Sequence, residues 1–312
     1  MVTKEQRLKQ IEYVVNNSEN VKINHDKIIE YTKMLKVNNN TYWLNNDVLD
    51  LTEKEFILLM FIIESMNFCF WKEPFIEKTF KNEYHKKSTA MFYSIVDYVI
   101  NNKEFLNIDR LVGITKEDLK NIFGSKEDLP FISERYCNLV ETVTIIYNKK
   151  DAFFEELFSF NNDEKLLDYI VSNFPNFNDI SEYKGQLVCF YKRATLLVQD
   201  LFEVSKTIKA NIKNIDNLLG CADYSIPRTL RHYGVLEYSD ELANLVDNKK
   251  IIEHNSNYEI EIRANMIYAL ELIKEQLLEN NININSILLD NVIWITGRTI
   301  DGEHHLTETI FY

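Results

Sequence analysis

The spacing of apolar residues along this chain is typical of amphipathic helices through most of its length. One helical face is marked at three- and four-residue steps by Leu166, Leu167, Ile170, Val171 and Phe174. Residues 56–63 are apolar almost throughout, as in a helix buried on all sides, and Thr52 and Glu55 ahead of them form the pattern of a capping box. Further helical segments are predicted at 6–15, 27–35, 88–99, 115–123, 131–147, 152–158, 163–174, 190–202, 229–233, 263–278 and 284–294.

Two segments depart from this pattern. Residues 182–186 read as a turn, as in a short hairpin, and residues 258–262 alternate like a strand but lead directly into the helix at 263–278. The boundary at that second segment stays open. Seven glycines and four prolines in 312 residues are few for a many-turned β architecture. We therefore predict an all-α fold with at most a minor β-hairpin, in one compact unit or two merged lobes.

The charge balance limits the class of partner. There are 48 acidic and 35 basic residues, a formal net charge of −13. An acidic surface repels phosphate backbones, and the pairs Lys192-Arg193 and Lys249-Lys250 are isolated. We expect a small-molecule substrate rather than direct binding to nucleic acid.

The cysteines and the terminal sequence indicate a cellular setting. Cys69, Cys137, Cys189 and Cys221 are scattered through apolar surroundings without a C-x-x-C motif, so we expect reduced, buried thiols and no structural zinc. The first residues lack the apolar core of a signal peptide, and no run approaches the ~20 apolar residues that span a bilayer. A cytoplasmic protein with no membrane association is predicted.

Asp223 is the first candidate for chemistry. It lies among small and aromatic residues just before Pro227, a residue type that favours the first turn of a helix. One interpretation is an acid held at a chain reversal to face a developing positive charge. The other is a simple helix cap, since aspartate is a preferred N-cap residue.

Three other segments carry candidate binding residues. Asn67 and Trp71 flank an aromatic cluster and combine a flat or apolar face with a hydrogen-bonding group, whereas Phe68 and Phe70 are typical of core packing. Lys192 shares a helical face with Thr195 and Gln199, where it meets either a phosphate or solvent. Asp290 interrupts an apolar run, and an acid in such a place is usually paired or functional.

Several separate segments resemble the queuosine salvage proteins, a family of queuosine 5′-phosphate N-glycosylases. They are residues 67–71 (NFCFW), 190–194 (FYKRA), 222–227 (ADYSIP), 235–240 (VLEYSD), 259–263 (EIEIR) and 284–290 (INSILLD). The resemblance runs from about residue 50 to 312, which implies a single domain over 1–312 with a more divergent helical part at 1–50. It also implies a fold related to helix-hairpin-helix DNA glycosylases, and hydrolysis of the bond between a 7-deazaguanine base and ribose 5-phosphate, releasing queuine for tRNA modification.

The resemblance assigns roles residue by residue. Asp223 matches the catalytic aspartate of the family's F-A-D-Y motif, and Asp290 and Asn291 match its base-recognising Asp-Tyr pair. The chain departs from the family at Cys221 (phenylalanine), Asn291 (tyrosine) and Ile295 (a second acid), and the family's early histidine falls on Asn45. These changes in the expected base pocket leave open the exact deazapurine and the choice between nucleotide and nucleoside.

The expected chemistry needs neither metal nor cofactor. Cleavage produces an oxocarbenium-like ribose that the Asp223 carboxylate stabilises or attacks, or else Asp223 activates water. Asp290 would pair with the ammonium group of queuine. For the 5′-phosphate, Lys192 is the first candidate and Arg193 the second, with only one in contact because adjacent helical residues point ~100° apart.

Aromatic stacking on the base or sugar is expected from Phe68, Trp71 and Tyr224, whereas His304 and His305 are predicted to be structural or on the surface. Two other functions remain open. One is a non-catalytic deazapurine-binding protein, suggested by Cys221, Asn291 and Ile295. The other, suggested only by analogy of fold, is a nucleic-acid glycosylase or nucleic-acid-binding protein, which the charge disfavours.

Overall fold

Helices dominate the computed structural model, which describes residues 2–37, 49–124 and 129–312 and confirms the mostly helical prediction. The capping box is present: Thr52 Oγ1 accepts from the Glu55 N–H at 3.4 Å, and the Glu55 carboxylate accepts from the Thr52 N–H at 2.7 Å. The apolar helix behind it is buried, as its sequence predicts. The first helices are α1 Lys4–Asn17, α2 His25–Met34, α3 Glu53–Ser65, α4 Lys87–Asn101, α5 Ile108–Leu111, α6 Lys116–Ile122 and α7 Ile132–Lys149, with a 3-10 helix at Lys103–Leu106.

The second half settles the ambiguous segment at 258–262, which is helical. This helix is buried on nearly all sides, so it has no exposed polar face, and its sequence alternates between acids and apolar residues. Glu259 is paired inside the protein with Arg263, one turn later, at 3.3 Å. The remaining helices are α8 Asp151–Ser159, α9 Asp163–Asn173, α10 Lys192–Val204, α11 Lys206–Asn211, α12 Ser225–His232, α13 Asp240–Asp247, α14 Asn257–Glu279 and α15 Ser286–Gly297, with a 3-10 helix at Pro175–Phe177.

Short strands form three antiparallel pairs in the described ranges. They are β1 Val21–Ile23, β2 Glu77–Phe80, β3 Glu83–Lys86, β4 Ile180–Tyr183, β5 Gln186–Cys189 and β6 Leu236–Tyr238. The predicted turn at 182–186 closes the hairpin of β4 and β5, with Gly185 at a φ of +82°. A second hairpin joins β2 to β3, and β1 pairs with the distant β6. This is more β structure than the single hairpin predicted, but each sheet has only two strands.

Two hydrophobic cores meet at the segment that precedes α12. The first core is built around α3, α7, α9 and α10, and the second around α1, α12, α14 and α15. Cys221 packs in the first core and Ala222 in the second. Residue 223 therefore lies at the junction of the two cores.

The helix predicted from residue 190 begins two residues later. Tyr191 is left-handed, with φ of +53°, and the N–H groups of Phe190 and Tyr191 both donate to the Asp179 carbonyl, at 3.0 and 3.3 Å. Phe190 is buried, but it lies outside α10. This tertiary contact fixes where the helix starts, so Lys192 is its first residue.

All four cysteines are free, and three are buried as predicted. Cys137 is exposed on α7, which corrects that part of the prediction. No helix within the described ranges combines the length and the apolarity needed to cross a membrane.

Candidate active site

A cavity of about 600 Å³ lies at the junction of the two cores. Its walls come from α10, α12 and α15, the segment that follows α3, and the start of α4. Most of the residues singled out in the sequence line it: Asn67, Phe68, Lys192, Cys221, Asp223, Tyr224, Asp290, Asn291 and Ile295.

Asp223 is partly buried at the entrance to α12, where it also acts as a cap. Its Oδ1 accepts hydrogen bonds from the N–H groups of Ser225 and Ile226, at 2.8 and 2.9 Å. The two sequence interpretations of this residue are therefore compatible, because the cap holds a carboxylate that also faces the cavity. Burial raises the pKa of Asp223, against the opposing effects of the Ile226 N–H and the Lys192 ammonium.

Asp290 lies on α15 and is only 5% exposed. Its Oδ2 accepts the backbone N–H of Cys221 at 2.8 Å. Burial, and then the negative charge of Asp223, raise the pKa of Asp290 well above its usual range. Burial and the neighbouring Asp223 therefore disfavour the charged form of the Asp290 carboxyl.

Gly220 allows this approach of α15 to the 221–224 segment. A Cβ at residue 220 would lie 2.3 Å from Leu270 Cδ1 and 3.3 Å from Asp290 Oδ2. The first distance is too short for real carbon atoms, and the second is tight. A side chain at residue 220 would therefore require the Leu270 side chain to move.

Lys192 lies at the inner end of the cavity among acids. Its ammonium donates to the Asn67 carbonyl at 3.4 Å and favours the charged forms of the Glu64, Asp223 and Asp290 carboxyls. Burial nevertheless raises the pKa of Glu64, whose carboxylate also accepts the Asn67 side-chain amide at 3.0 Å. Glu64 was missed in the sequence, although an acid ending an apolar helix is the same signal that marked Asp290.

Arg193, the second candidate for the phosphate, is not among the residues that line the cavity. Its guanidinium donates to the carbonyls of Glu64 (2.9 Å), Ser65 (2.7 Å) and Asn176, and lies 4.9 Å from the Phe177 ring centroid. Burial lowers its pKa to about 10. Arg193 thus fixes the end of α3 from behind, and of the adjacent pair only Lys192 reaches the cavity.

Of the aromatic candidates, too, some line the cavity and one does not. Phe68 and Tyr224 line the cavity, whereas Trp71 lies outside the lining and donates its indole N–H to the Thr307 carbonyl at 3.2 Å. The ring of His304, predicted to be structural or on the surface, lines the cavity and stacks on Tyr224 with centroids 4.5 Å apart. Burial lowers the pKa of His304 to about 4, so this ring is neutral near pH 7.

A buried ion-pair cluster holds the 221–224 segment and the start of α10 together. Arg263 donates to the Ala222 carbonyl at 3.2 Å and to Asp179 at 3.1 Å, and pairs with Glu259. Asp179 in turn accepts the Lys192 N–H at 3.3 Å. One guanidinium therefore holds the residue before Asp223 directly and the Lys192 backbone through Asp179, an arrangement that no local sequence signal revealed.

Two further expectations concern the residue matched to the family's early histidine and the presence of a metal site. Asn45, matched to the family's early histidine, lies outside the described residues. Across the described ranges, no group of three or more His, Cys, Asp and Glu side chains is arranged to hold a metal ion.

Comparison with known proteins adds an independent observation. The sequence model of the family described as queuosine salvage protein matches residues 49–312. The chain is 26% identical over 307 residues to a queuosine 5′-phosphate N-glycosylase/hydrolase of Sphaerobacter thermophilus, covering 96% of this chain and 95% of that protein. Proteins of the same name from Dictyostelium discoideum and Bos taurus are 30% and 29% identical, covering 80% and 84% of this chain and 76% and 83% of their own.

Proposed function

Because the chain belongs to the queuosine salvage protein family, we propose that it hydrolyses the N-glycosidic bond of queuosine 5′-phosphate or a close 7-deazaguanine nucleotide or nucleoside. The observation that carries the proposal is that Asp223 and Asp290 open onto the same cavity. The relatives' names supply the substrate and the reaction. The released base would be queuine, available for tRNA modification.

Asp223 is the proposed catalytic residue. The bond between the base nitrogen and the anomeric carbon breaks with its electron pair on the base, which leaves positive charge on the ribose ring. A carboxylate beneath that carbon stabilises the charge, by electrostatics or by a transient bond. Water then supplies the new hydroxyl group, and the proton that it loses neutralises the departing base. The capping bonds occupy Oδ1, which fixes the carboxylate while Oδ2 makes no hydrogen bond within the described residues.

Asp290 is the proposed base-recognition residue. A 7-deaza base has no N7 to protonate, so help for the leaving group must come from hydrogen bonds at other edges of the base. Queuine also carries a secondary amine that is protonated at neutral pH, and Asp290 would pair with it once its own proton has left. Phe68 and Tyr224 offer stacking surfaces, and Cys221, Asn291 and Ile295 complete the wall of the pocket.

The proposed partner is a small molecule in the cytoplasm. A net charge of −13 opposes binding to a nucleic-acid backbone, and four free cysteines suit a reducing compartment. The second candidate function, deazapurine binding without turnover, is favoured by the departures at Cys221, Asn291 and Ile295.

The test is incubation of the purified protein with queuosine 5′-phosphate and detection of free queuine by mass spectrometry. We expect queuine from the wild type and almost none from the Asp223→Asn variant. Tight binding without release would favour the non-catalytic alternative. Equal release by wild type and variant would remove Asp223 from the mechanism.

A further inference from the structure

The turn that precedes α10, residues 189–191, carries the chain to the first side chain of that helix. Tyr191 is left-handed, with φ of +53°, a conformation that a bulky residue rarely adopts. The N–H groups of Phe190 and Tyr191 donate to the Asp179 carbonyl, and the N–H of Lys192 donates to the Asp179 carboxylate at 3.3 Å. Such a conformation persists only where the surrounding structure fixes it. Asp179 holds the N–H side of the turn, so the carbonyl side needs support of its own.

The N-terminal helix α1 supplies that support. Arg7 donates from Nε to the Cys189 carbonyl at 3.2 Å and from Nη2 to the Phe190 carbonyl at 2.7 Å. One helical turn later, Gln10 Oε1 accepts the Cys189 N–H at 3.1 Å. The Arg7 guanidinium also lies 5.2 Å from the centroid of the Tyr191 ring. α1 therefore binds the two residues that immediately precede the left-handed one.

Arg7 is an expensive residue to bury for packing alone. It is 1% exposed, and in the described ranges its guanidinium bonds only to carbonyl oxygens, while Nη1 has no acceptor. Burial lowers the pKa of this guanidinium. An apolar side chain would pack α1 against its neighbours without the cost of removing a charge from water. The two hydrogen bonds to the turn account for a charged side chain at this place.

We propose that Arg7 is a positioning residue of the active site, whose hydrogen bonds to the turn at 189–191 direct the Lys192 side chain toward the acids of the cavity. This inference rests on the proposed function. It adds a role for a helix that lies outside residues 49–312, the part of the chain that the family model matches. Lys192 directly follows the turn, so the backbone conformation of the turn sets the direction in which its side chain leaves the helix.

Displacement of Lys192 has a defined chemical consequence. Its ammonium favours the charged forms of Glu64, Asp223 and Asp290, and Asp200 on its own helix bonds to Glu64. Without the ammonium nearby, burial raises the pKa values of these acids further. The acidic limb of the pH–rate profile then moves to higher pH. A merely structural role for α1 would lower the stability of the protein and leave that limb in place.

The test is the pH dependence of kcat/KM on queuosine 5′-phosphate for the wild type, Arg7→Met, Lys192→Met and the double variant. We expect the acidic limb to move up by about 1 pH unit in Arg7→Met. The double variant should show no larger shift than Lys192→Met, because the effect of Arg7 passes through the lysine. An unmoved limb in Arg7→Met, or shifts that add in the double variant, would overturn the proposal.

Ile11→Ala is the matched control. Ile11 lies on the same helix and is fully buried in the second core, so its truncation lowers stability without removing a hydrogen bond to the turn. The limb should stay at its wild-type position, and an equal shift there would assign the effect to general loosening of α1 and reject the positioning role. If Arg7→Met does not fold, Arg7→Lys takes its place, because an ammonium keeps the charge but not the guanidinium's fixed fork. An unmoved limb in that variant would then reject the proposal.

Hydrogen exchange separates this inference from the proposed function. If the wild type releases no queuine, the proposed function fails, but the backbone N–H groups of residues 190–192 still report on the turn. They should exchange faster in Arg7→Met than in both the wild type and Ile11→Ala. Equal protection of these groups in Arg7→Met and Ile11→Ala would show that Arg7 does not hold the turn.

Discussion

The backbone N–H of Cys221 donates to Asp290 Oδ2 at 2.8 Å, which ties the proposed base-recognition acid to the segment that carries Asp223. Asp223 follows two residues later and is fixed in turn by its cap on α12. The side chain that is proposed to recognise the base therefore also supports the backbone beside the proposed catalytic carboxylate. Substitutions at Asp223 or Asp290 must therefore separate the effect of the negative charge from the effect of the hydrogen bonds that the carboxylate accepts from the backbone.

Asp223→Asn and Asp223→Ala make that separation. Asparagine keeps an acceptor for the Ser225 and Ile226 N–H groups but removes the charge, so we expect a fall in kcat of about 10³-fold with nearly unchanged stability. Alanine should lose the activity and also about 1 kcal/mol of unfolding free energy, because the cap is lost. Initial rates and urea unfolding measure the two effects. A residual kcat above a tenth of wild type for the asparagine variant would contradict the role of the charge.

Lys192→Met should move the acidic limb of the pH–rate profile to higher pH. The ammonium favours ionised Asp223 and Asp290, so removing it raises both pKa values and activity is lost at a higher pH as the solution is acidified. The measurement is kcat/KM against pH. Lys86→Met, which removes a cation paired with Glu77, is the matched control, and a shift of the same size there would show a general effect of charge.

Binding of queuine should release a proton from Asp290. Burial and the Asp223 charge raise the pKa of Asp290, and an ammonium partner would lower it again. Affinity should therefore increase with pH until it passes the pKa of the unliganded group. Calorimetry in two buffers of different ionisation enthalpy measures the release, which should vanish in Asp290→Asn. Proton uptake by the wild type would contradict this pairing.

Glu259→Gln should weaken the protein at neutral pH and have little effect near pH 2. Burial opposes ionisation, but Arg263 and His254 outweigh it and lower the pKa of Glu259 from 4.5 to about 2. A lowered pKa in the folded state stabilises the fold above pH 4.5, by about 3 kcal/mol, and this is lost as the pH falls toward 2. Urea unfolding at several pH values measures this loss of stability. The control is Glu279→Gln, a substitution at an exposed glutamate. A difference in unfolding free energy between the variant and the wild type that stays constant with pH would contradict this prediction.

Gly220→Ala should be destabilising by about 1–3 kcal/mol, since the new methyl group overlaps Leu270 Cδ1. It should also lower activity by displacing Asp290. Gly113→Ala, where the added carbon would lie 3.4 Å from the Arg110 carbonyl oxygen, is a near-neutral comparison. Equal stabilities for the two variants would show that the Leu270 side chain moves aside at little cost.

Features decided by local signals could be predicted from the sequence. The Thr52 and Glu55 capping box starts α3 where expected, and the turn predicted at 182–186 closes the hairpin of β4 and β5. Asp223 and Asp290 stood out because acids are rare in apolar surroundings. Each of these signals lies within a few residues of the feature that it predicts.

Features decided by tertiary contacts could not be predicted in this way. The choice between Lys192 and Arg193 depends on where α10 begins, which is set by bonds to the distant Asp179 carbonyl. Arg228 and His304 carry no motif, and only the folded chain brings them to the cavity. The alternation at 258–262 suggested a strand because a helix buried on nearly all sides, with its own ion pair, has no polar stripe.

Because the chain passes from one core to the other between Cys221 and Ala222, the relative position of the two cores sets the arrangement of charges around the cavity. Glu64 and Lys192 extend from α3 and α10 of the first core, Asp290 extends from α15, which packs mainly in the second core, and Asp223 lies between the two cores. A slight rotation between the cores would separate these charges while leaving the interior of each core intact. Substitutions that alter the packing between the two cores, even far from the cavity, are therefore expected to reduce turnover without unfolding the protein. Loss of turnover alone would not show that the substituted residue lies in the cavity.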